Sequence, residues 1–142
     1  MAADGRFTLT DKVAVVIGGA GHLCSTLVRA MAEAGMRVVV VDVAEPGSAA
    51  ALPPAASYLR GDVTSKDDLM RCREDVLKQH RRVDVLLNGA GTNAPTPFFE
   101  IQPDEIQGIL GVNLIGTLYG CQVFGEVMVR QRSGSIVNFT SA

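Results

Sequence analysis

Lys12-Val-Ala-Val-Val-Ile17, a short run rich in β-branched residues, stops at Gly18-Gly19-Ala20-Gly21 and turns directly into helical spacing. Few architectures accept that junction. An unbroken apolar run of strand length reads as a strand buried on both faces, as in a parallel sheet covered by helices. The helix is expected from about Gly21 to Ala34, with Leu23, Leu27, Val28, Met31 and Ala32 near helical spacing and Gly35 ending it. Strand followed at once by helix opens a βαβ unit.

The same alternation runs through the rest of the chain. Met36 to Val43 contains Val38-Val-Val-Val41 and carries Asp42 at its tip. Pro46, Gly47, Pro53 and Pro54 then leave room for only a short helix or an irregular crossover before Ser57-Tyr-Leu-Arg60. Thr64 or Ser65 can cap a helix to about His80, with Leu69, Cys72, Val76 and Leu77 on its inner face. Val83 to Leu87 is the fourth strand and stops at Asn88-Gly-Ala-Gly91. Pro103 opens a long helix to about Gln131, whose glycines 108, 111, 116, 120 and 125 each weaken it by ~1 kcal/mol, so packing must hold it, a neighbouring subunit included. Ser135 to Thr140 is the fifth strand. Strands alternating with helices imply an α/β fold, a doubly wound Rossmann-type parallel sheet of strand order 3-2-1-4-5. With no internal repeat and no linker, residues 1–142 read as one domain.

Composition excludes several functions. The 142 residues are 47% hydrophobic and 20% charged, inside the globular range. A net charge of −2 offers no broad basic surface for nucleic acid or anionic lipid. The basic cluster Lys78, Arg81 and Arg82 around His80 reads as a solvated helix end. Cys24, Cys72 and Cys121 are odd in number and show no metal-ligand or CxxC spacing, which points to a reduced interior without disulfide or metal. Met1 to Lys12 lacks a signal-peptide core, and no apolar run approaches the ~20 residues that span a bilayer, so a soluble, cytoplasmic protein is expected.

The first junction carries chemistry as well as fold. Between a strand and a helix, backbone N–H groups and the helix dipole can meet a pyrophosphate. Asp42 lies 24 residues beyond Gly18, where a carboxylate can accept hydrogen bonds from an adenosine ribose diol. Its charge would repel a 2′-phosphate, and no Arg follows it directly to compensate, so NAD is expected over NADP. The bland alternatives are a tight glycine turn and a solvated strand end.

Asp62-Val63 after the third strand, Asn88-Gly-Ala-Gly91 after the fourth and Val112-Asn-Leu-Ile-Gly116 in the long helix join these features in a fixed order. Together they resemble the short-chain dehydrogenase/reductase family from about Thr8 to Ala142. The resemblance implies an NAD(P)-binding Rossmann domain, with Gly18, Gly21, His22 and Leu23 at the cofactor. It implies that Asp62 and Val63 border the adenine, and that Asn88, Ala90 and Gly91 run beside the cofactor and stabilise the central strands. It gives Asn113 the place of the residue that helps hold a proton-relay water, and Ser141 that of the catalytic serine positioning the substrate oxygen. Small alcohols or carbonyls would be the substrates, and a homo-oligomer the working state. The loops Gly18 to Ser25, Asn88 to Phe99 and Gly120 to Met128 further resemble the sugar-acid and polyol oxidoreductases of the D-mannonate oxidoreductase or fructuronate reductase type.

The departures are specific. The family's T-G-x-x-x-G-x-G reads here as Ile17-Gly18-x-x-x-His22-Leu23-Cys24, with two glycines replaced. Read as G-x-x-G it keeps Gly18 and Gly21 and resembles the extended, epimerase-like members, but Asn88-Gly-Ala-Gly91 and Asn113 favour the non-extended branch. Cys24 is expected either to pack under the helix start or to push the helix from the strand. His22 reads as an exposed loop residue or a phosphate neighbour.

The family's Tyr-x-x-x-Lys pair does not occur in these residues: Tyr58 is followed by Asp62 and Tyr119 by Val123 at the lysine position. The family's last strands are likewise expected to be lacking. Two function classes stand on this sequence: a piece of an NAD-dependent alcohol/carbonyl oxidoreductase, catalytically incomplete by itself, or a non-catalytic dinucleotide-binding or interaction module.

Overall fold

A computed structural model describes residues 8–44 and 52–139. Its elements are β1 (Val13–Ile17), α1 (His22–Glu33), β2 (Arg37–Asp42), β3 (Ala56–Arg60), α2 (Lys66–His80), β4 (Val85–Asn88), a 3₁₀ turn (Phe98–Glu100), α3 (Pro103–Leu110), a π turn (Gly111–Gly116), α4 (Thr117–Gln131) and β5 (Ser135–Asn138). The strands form one parallel sheet in the order β3-β2-β1-β4-β5. This is the Rossmann-type order expected from the alternation.

The valine runs work by period two. Val13, Val15, Ile17, Val39 and Val41 join Leu69, Cys72 and Val76 of α2 and Phe124 of α4 in one core layer. Ala14, Val16, Val38 and Val40 join Cys24 and Val28 of α1 in the other. Helices therefore cover both faces, and both strands are buried along nearly their whole length.

Local chemistry sets the helix ends. The Ser65 hydroxyl accepts from the Asp68 amide at the start of α2, with Asp67 and Asp68 in its first turn and Lys78 in its last, each charge favouring the dipole. Arg81 and Arg132 close α2 and α4 in left-handed conformations. The Gln102 and Glu105 side chains make a capping box around Pro103 at the start of α3.

Three expectations are corrected. Leu23 is 62% exposed, because α1 begins at His22 and its buried face carries Cys24 and Val28. The fourth strand begins at Val85, two residues later than read, with the preceding Asp84 side chain accepting from the Val13 amide at the start of β1. The long helix is interrupted by the π turn at Gly111–Gly116. Two of its glycines allow close approach within this chain, Gly116 to Val63 and Gly120 to Asn88 and Ile17.

Pro103–Gln131 is also long and apolar enough to cross a membrane by length and composition, which the sequence reading did not foresee. In this fold α4 packs Val123, Phe124, Val127 and Met128 into the core. Ile106, Leu110, Leu114 and Leu118 remain exposed, as does β5 along its length. Pro46 and Gly47 of the expected crossover, and Thr140 of the fifth strand, lie outside the described residues.

Candidate cofactor-binding cleft

The sheet register places Ile17 beside Val41 on one side and Asn88 on the other. The turns leaving β1, β2 and β4 therefore converge at the carboxyl edge of the sheet, where the strand order reverses. A cleft of about 560 Å³ opens there. Gly18, Gly21, Asp42, Asp62, Val63, Ala90 and Gly91 line it, together with Ala20, Ala44, Thr64, Thr92 and Val112.

Gly18 is fixed by two demands. Its φ of +76° lies in the left-handed region, and a side chain there would meet the Ala90 backbone nitrogen at 2.5 Å. The Gly18 amide donates to the Val41 carbonyl at 2.8 Å, so the first turn runs between the tips of β2 and β4. Gly21 is the N-cap of α1 and brings no side-chain hydrogen bond. Because the first helical bond runs from the Ser25 amide to the Gly21 carbonyl, the amides of His22, Leu23 and Cys24 stand at an uncapped helix start. The side chains of His22 and Leu23 are exposed and form no part of the cleft wall.

Asp42 holds two turns together. Its Oδ2 accepts from the Ala20 amide at 3.0 Å and its Oδ1 from the Ala44 amide at 3.1 Å. Each oxygen keeps acceptor capacity toward the cleft. Asp62 folds the turn after β3, its Oδ1 accepting from the Thr64 amide at 2.8 Å and the Thr64 hydroxyl at 2.7 Å. The Asp62 amide donates to Asp68; this hydrogen bond, against a burial penalty and with help from Arg71 and Ser65, holds the Asp68 carboxyl below its usual range.

Asn88 and Asn113 stand behind the cleft. The buried Asn88 side chain is directed away from it: Nδ2 donates to Asn138 Oδ1 at 2.8 Å and to Cys121 Sγ at 3.4 Å, tying β4 to β5 and α4. Asn113 sits in the π turn, where Oδ1 accepts from the Thr92 amide at 2.8 Å and Nδ2 donates to the Thr92 carbonyl at 3.0 Å. It shapes the cleft through the loop after β4. Ser141 lies outside the described residues.

Thr92, Ala20 and Ala44 were not singled out from sequence. Thr92 had the one usable signal, its place directly after Asn88-Gly-Ala-Gly91. The others contribute only backbone groups, which any residue could supply.

The cleft suits a dinucleotide. Its volume falls within the range of cofactor sites, roughly 300–1,000 Å³. Uncapped helical amides at one point and a carboxylate on the neighbouring strand tip match a phosphate and a ribose diol.

Comparison with known proteins gives a consistent picture. The short chain dehydrogenase family model matches residues 12–142. The chain is 32% identical to an uncharacterized oxidoreductase UxuB of Bacillus subtilis, over 94% of this chain and 55% of that protein. It is 31% identical to a D-threitol dehydrogenase of Mycolicibacterium smegmatis, over 99% and 56% respectively. A short-chain dehydrogenase/reductase from Burkholderia phymatum, solved in complex with NAD, superposes with a TM-score of 0.84 at 26% identity, covering 95% of this chain and 50% of that one. The chain thus spans about half the length of the curated relatives it matches.

Proposed function

Because the chain belongs to the short-chain dehydrogenase family, we propose that its cleft holds NAD(H) and that the protein transfers hydride between this dinucleotide and a small alcohol or carbonyl. The observation that carries the reading is the shared cleft wall of Gly18, Gly21 and Asp42. The amides at the α1 start would receive the pyrophosphate, and the Asp42 carboxylate would accept from the ribose diol and repel a 2′-phosphate. Asp62 and Val63 would border the adenine, and Ala90 and Gly91 the path toward the nicotinamide. When bound, the dinucleotide supplies the hydride donor or acceptor.

The proposed catalytic roles are divided. Asn113 supports a relay water from the π turn, and Ser141 positions the substrate oxygen. Positioned acid–base catalysis is worth ~10²–10⁴-fold, and these 142 residues hold no Tyr-x-x-x-Lys pair. By itself the chain is therefore proposed to bind cofactor and turn over slowly. A second reading is a dinucleotide-binding module without chemistry. Following nicotinamide absorbance with a panel of polyols and sugar acids separates the two readings. The substrate class rests on the loop resemblance and on the relative that acts on D-threitol.

The remaining parts of the proposal are a single domain over residues 1–142, a cytoplasmic location and a homo-oligomer. The exposed Ile106, Leu110, Leu114 and Leu118 would be covered by a second copy. The test of the central claim is calorimetry with both cofactors. NAD(H) should bind more tightly than NADP(H), and Asp42→Asn should remove the difference. Equal affinities in the wild type would overturn the assignment.

A further inference from the structure

Tyr58 has no place in the acid–base chemistry considered above, yet its hydroxyl reaches the tip of β2. It stands on edge strand β3 in register with Val40, with its ring packed on the α1-side core. The hydroxyl donates to the Asp42 carbonyl at 2.9 Å and also contacts the Ala44 carbonyl. The Asp42 carboxylate grips the same turn from within, its Oδ1 accepting from the Ala44 amide and its Oδ2 from Ala20 in the glycine turn. The phenol thus ties the turn after β2 to edge strand β3 through the Asp42 carbonyl, with the Ala44 carbonyl beside it, and the carboxylate on that turn links it to the loop at the start of α1.

We propose that Tyr58 is a positioning residue for dinucleotide selection: its hydroxyl fixes the turn carrying the Asp42 carboxylate, and thereby sets the preference for a ribose diol over a 2′-phosphate. The inference rests on the NAD(H) reading of the cleft. A carboxylate set in place beforehand avoids an ordering cost when the diol binds. The same fixed charge opposes a 2′-phosphate. If the turn relaxes, the carboxylate swings toward water, the diol loses its acceptor, and the phosphate loses its opponent. General loosening of the edge strand would instead weaken both cofactors alike.

Tyr58→Phe keeps the ring and removes only the hydroxyl. In calorimetry on the purified protein, NAD affinity is expected to fall about three- to tenfold, the range of one neutral hydrogen bond, while NADP affinity holds or rises. In the cofactor-free protein, hydrogen exchange at the Ala20 and Ala44 amides should accelerate with the melting temperature nearly unchanged. An unchanged NAD-to-NADP ratio, including one in which both affinities drop together, overturns the proposal. So does unchanged exchange at both amides. Asp42→Asn in the same series tests the underlying reading. A wild type without NAD preference, or an Asp42→Asn variant that keeps it, removes the ribose assignment. A normal wild type and a responsive Asp42→Asn beside an indifferent Tyr58→Phe removes Tyr58 alone.

Discussion

Cys24 Sγ fills the space that a side chain on Gly89 would need, so that a Cβ at Gly89 would overlap the sulfur. Cys24 stands at the third glycine of the family pattern, where a side chain threatens to push α1 from the sheet. The helix keeps its place because the residue across the interface has no side chain. Cys24 is 2% exposed and belongs to the α1-side core. Burial, and secondly the Asp42 carboxylate, push its thiol pKa up, so the group remains neutral and packs as a small apolar residue.

A double-mutant cycle should expose this complementarity. Gly89→Ala is expected to destabilise by about 1–3 kcal/mol through overpacking. Cys24→Gly should cost about 1–2 kcal/mol through the lost buried group and the glycine in a helix, contrary to a simple relief of crowding. The double variant should be more stable than the sum predicts, with about 1 kcal/mol of coupling in urea denaturation. Additive effects would show that the two positions do not share the space.

Asn113 gives a second prediction. Its amide pairs with both the N–H and the C=O of Thr92, as a strand neighbour would. Asn113→Ala removes both bonds at an exposed site, so the stability cost should be only about 0.5–1.5 kcal/mol. The loop from Gly91 to Thr92 borders the cleft, and NAD affinity should fall as well. Titration of a folded Asn113→Ala variant with wild-type affinity would reduce the clasp to a helix detail.

These contacts mark where sequence reading stops. The valine runs, the glycine turn and the acid at a strand tip are local signals, and residues such as Gly18, Gly21 and Asp42 were legible as cleft residues because the order of strands and turns nearly determines their place. Leu23 was not, because moving one residue along a helix rotates the side chain by ~100°. Asn88 was legible as part of a turn, but the direction of its side chain depends on Asn138, a residue 50 positions away. The π turn is invisible to periodicity. It coincides with the Asn113 to Thr92 pairing, and Tyr58 meets Asp42 only because β3 lies beside β2.

The three thiols should separate by reactivity. Cys24 and Cys72 are buried, whereas Cys121 is partly exposed. Burial, reinforced by the charges of Asp68 and Asp75, pushes the Cys72 thiol pKa up to about 11. With a thiol reagent near pH 8, one cysteine should label quickly in the native protein, and peptide mapping should identify it as Cys121. Fast labelling of Cys72 at the same pH would contradict its placement in the core.

Asp84 ties the start of β4 to β1, and its protonation should weaken the sheet in acid. The residue is 7% exposed. Its Oδ2 accepts from the Val13 amide at 2.9 Å and from Arg82 Nε at 2.8 Å, and Arg82 Nη2 donates to Oδ1. Lys12 adds a charge at 3.8 Å. Burial alone would push the carboxyl pKa up, but the Arg82 and Val13 hydrogen bonds and the nearby charges outweigh it and hold the value below the ordinary 3.8. The unfolded chain therefore takes up this proton at a higher pH than the folded one. The stabilisation is complete above the ordinary aspartate range and is lost as pH falls through that value toward the lower folded one. Asp84→Asn should cost about 2 kcal/mol at neutral pH, less than a fully buried pair because Arg82 is half exposed. Its stability should also decline less steeply between about pH 5 and pH 2. Parallel acid limbs for wild type and variant in urea denaturation would show that Asp84 does not carry the depressed titration. A flattened limb would place the acid sensitivity at the residue that holds β1 and β4 in register, and with them the two strand tips that form the cleft.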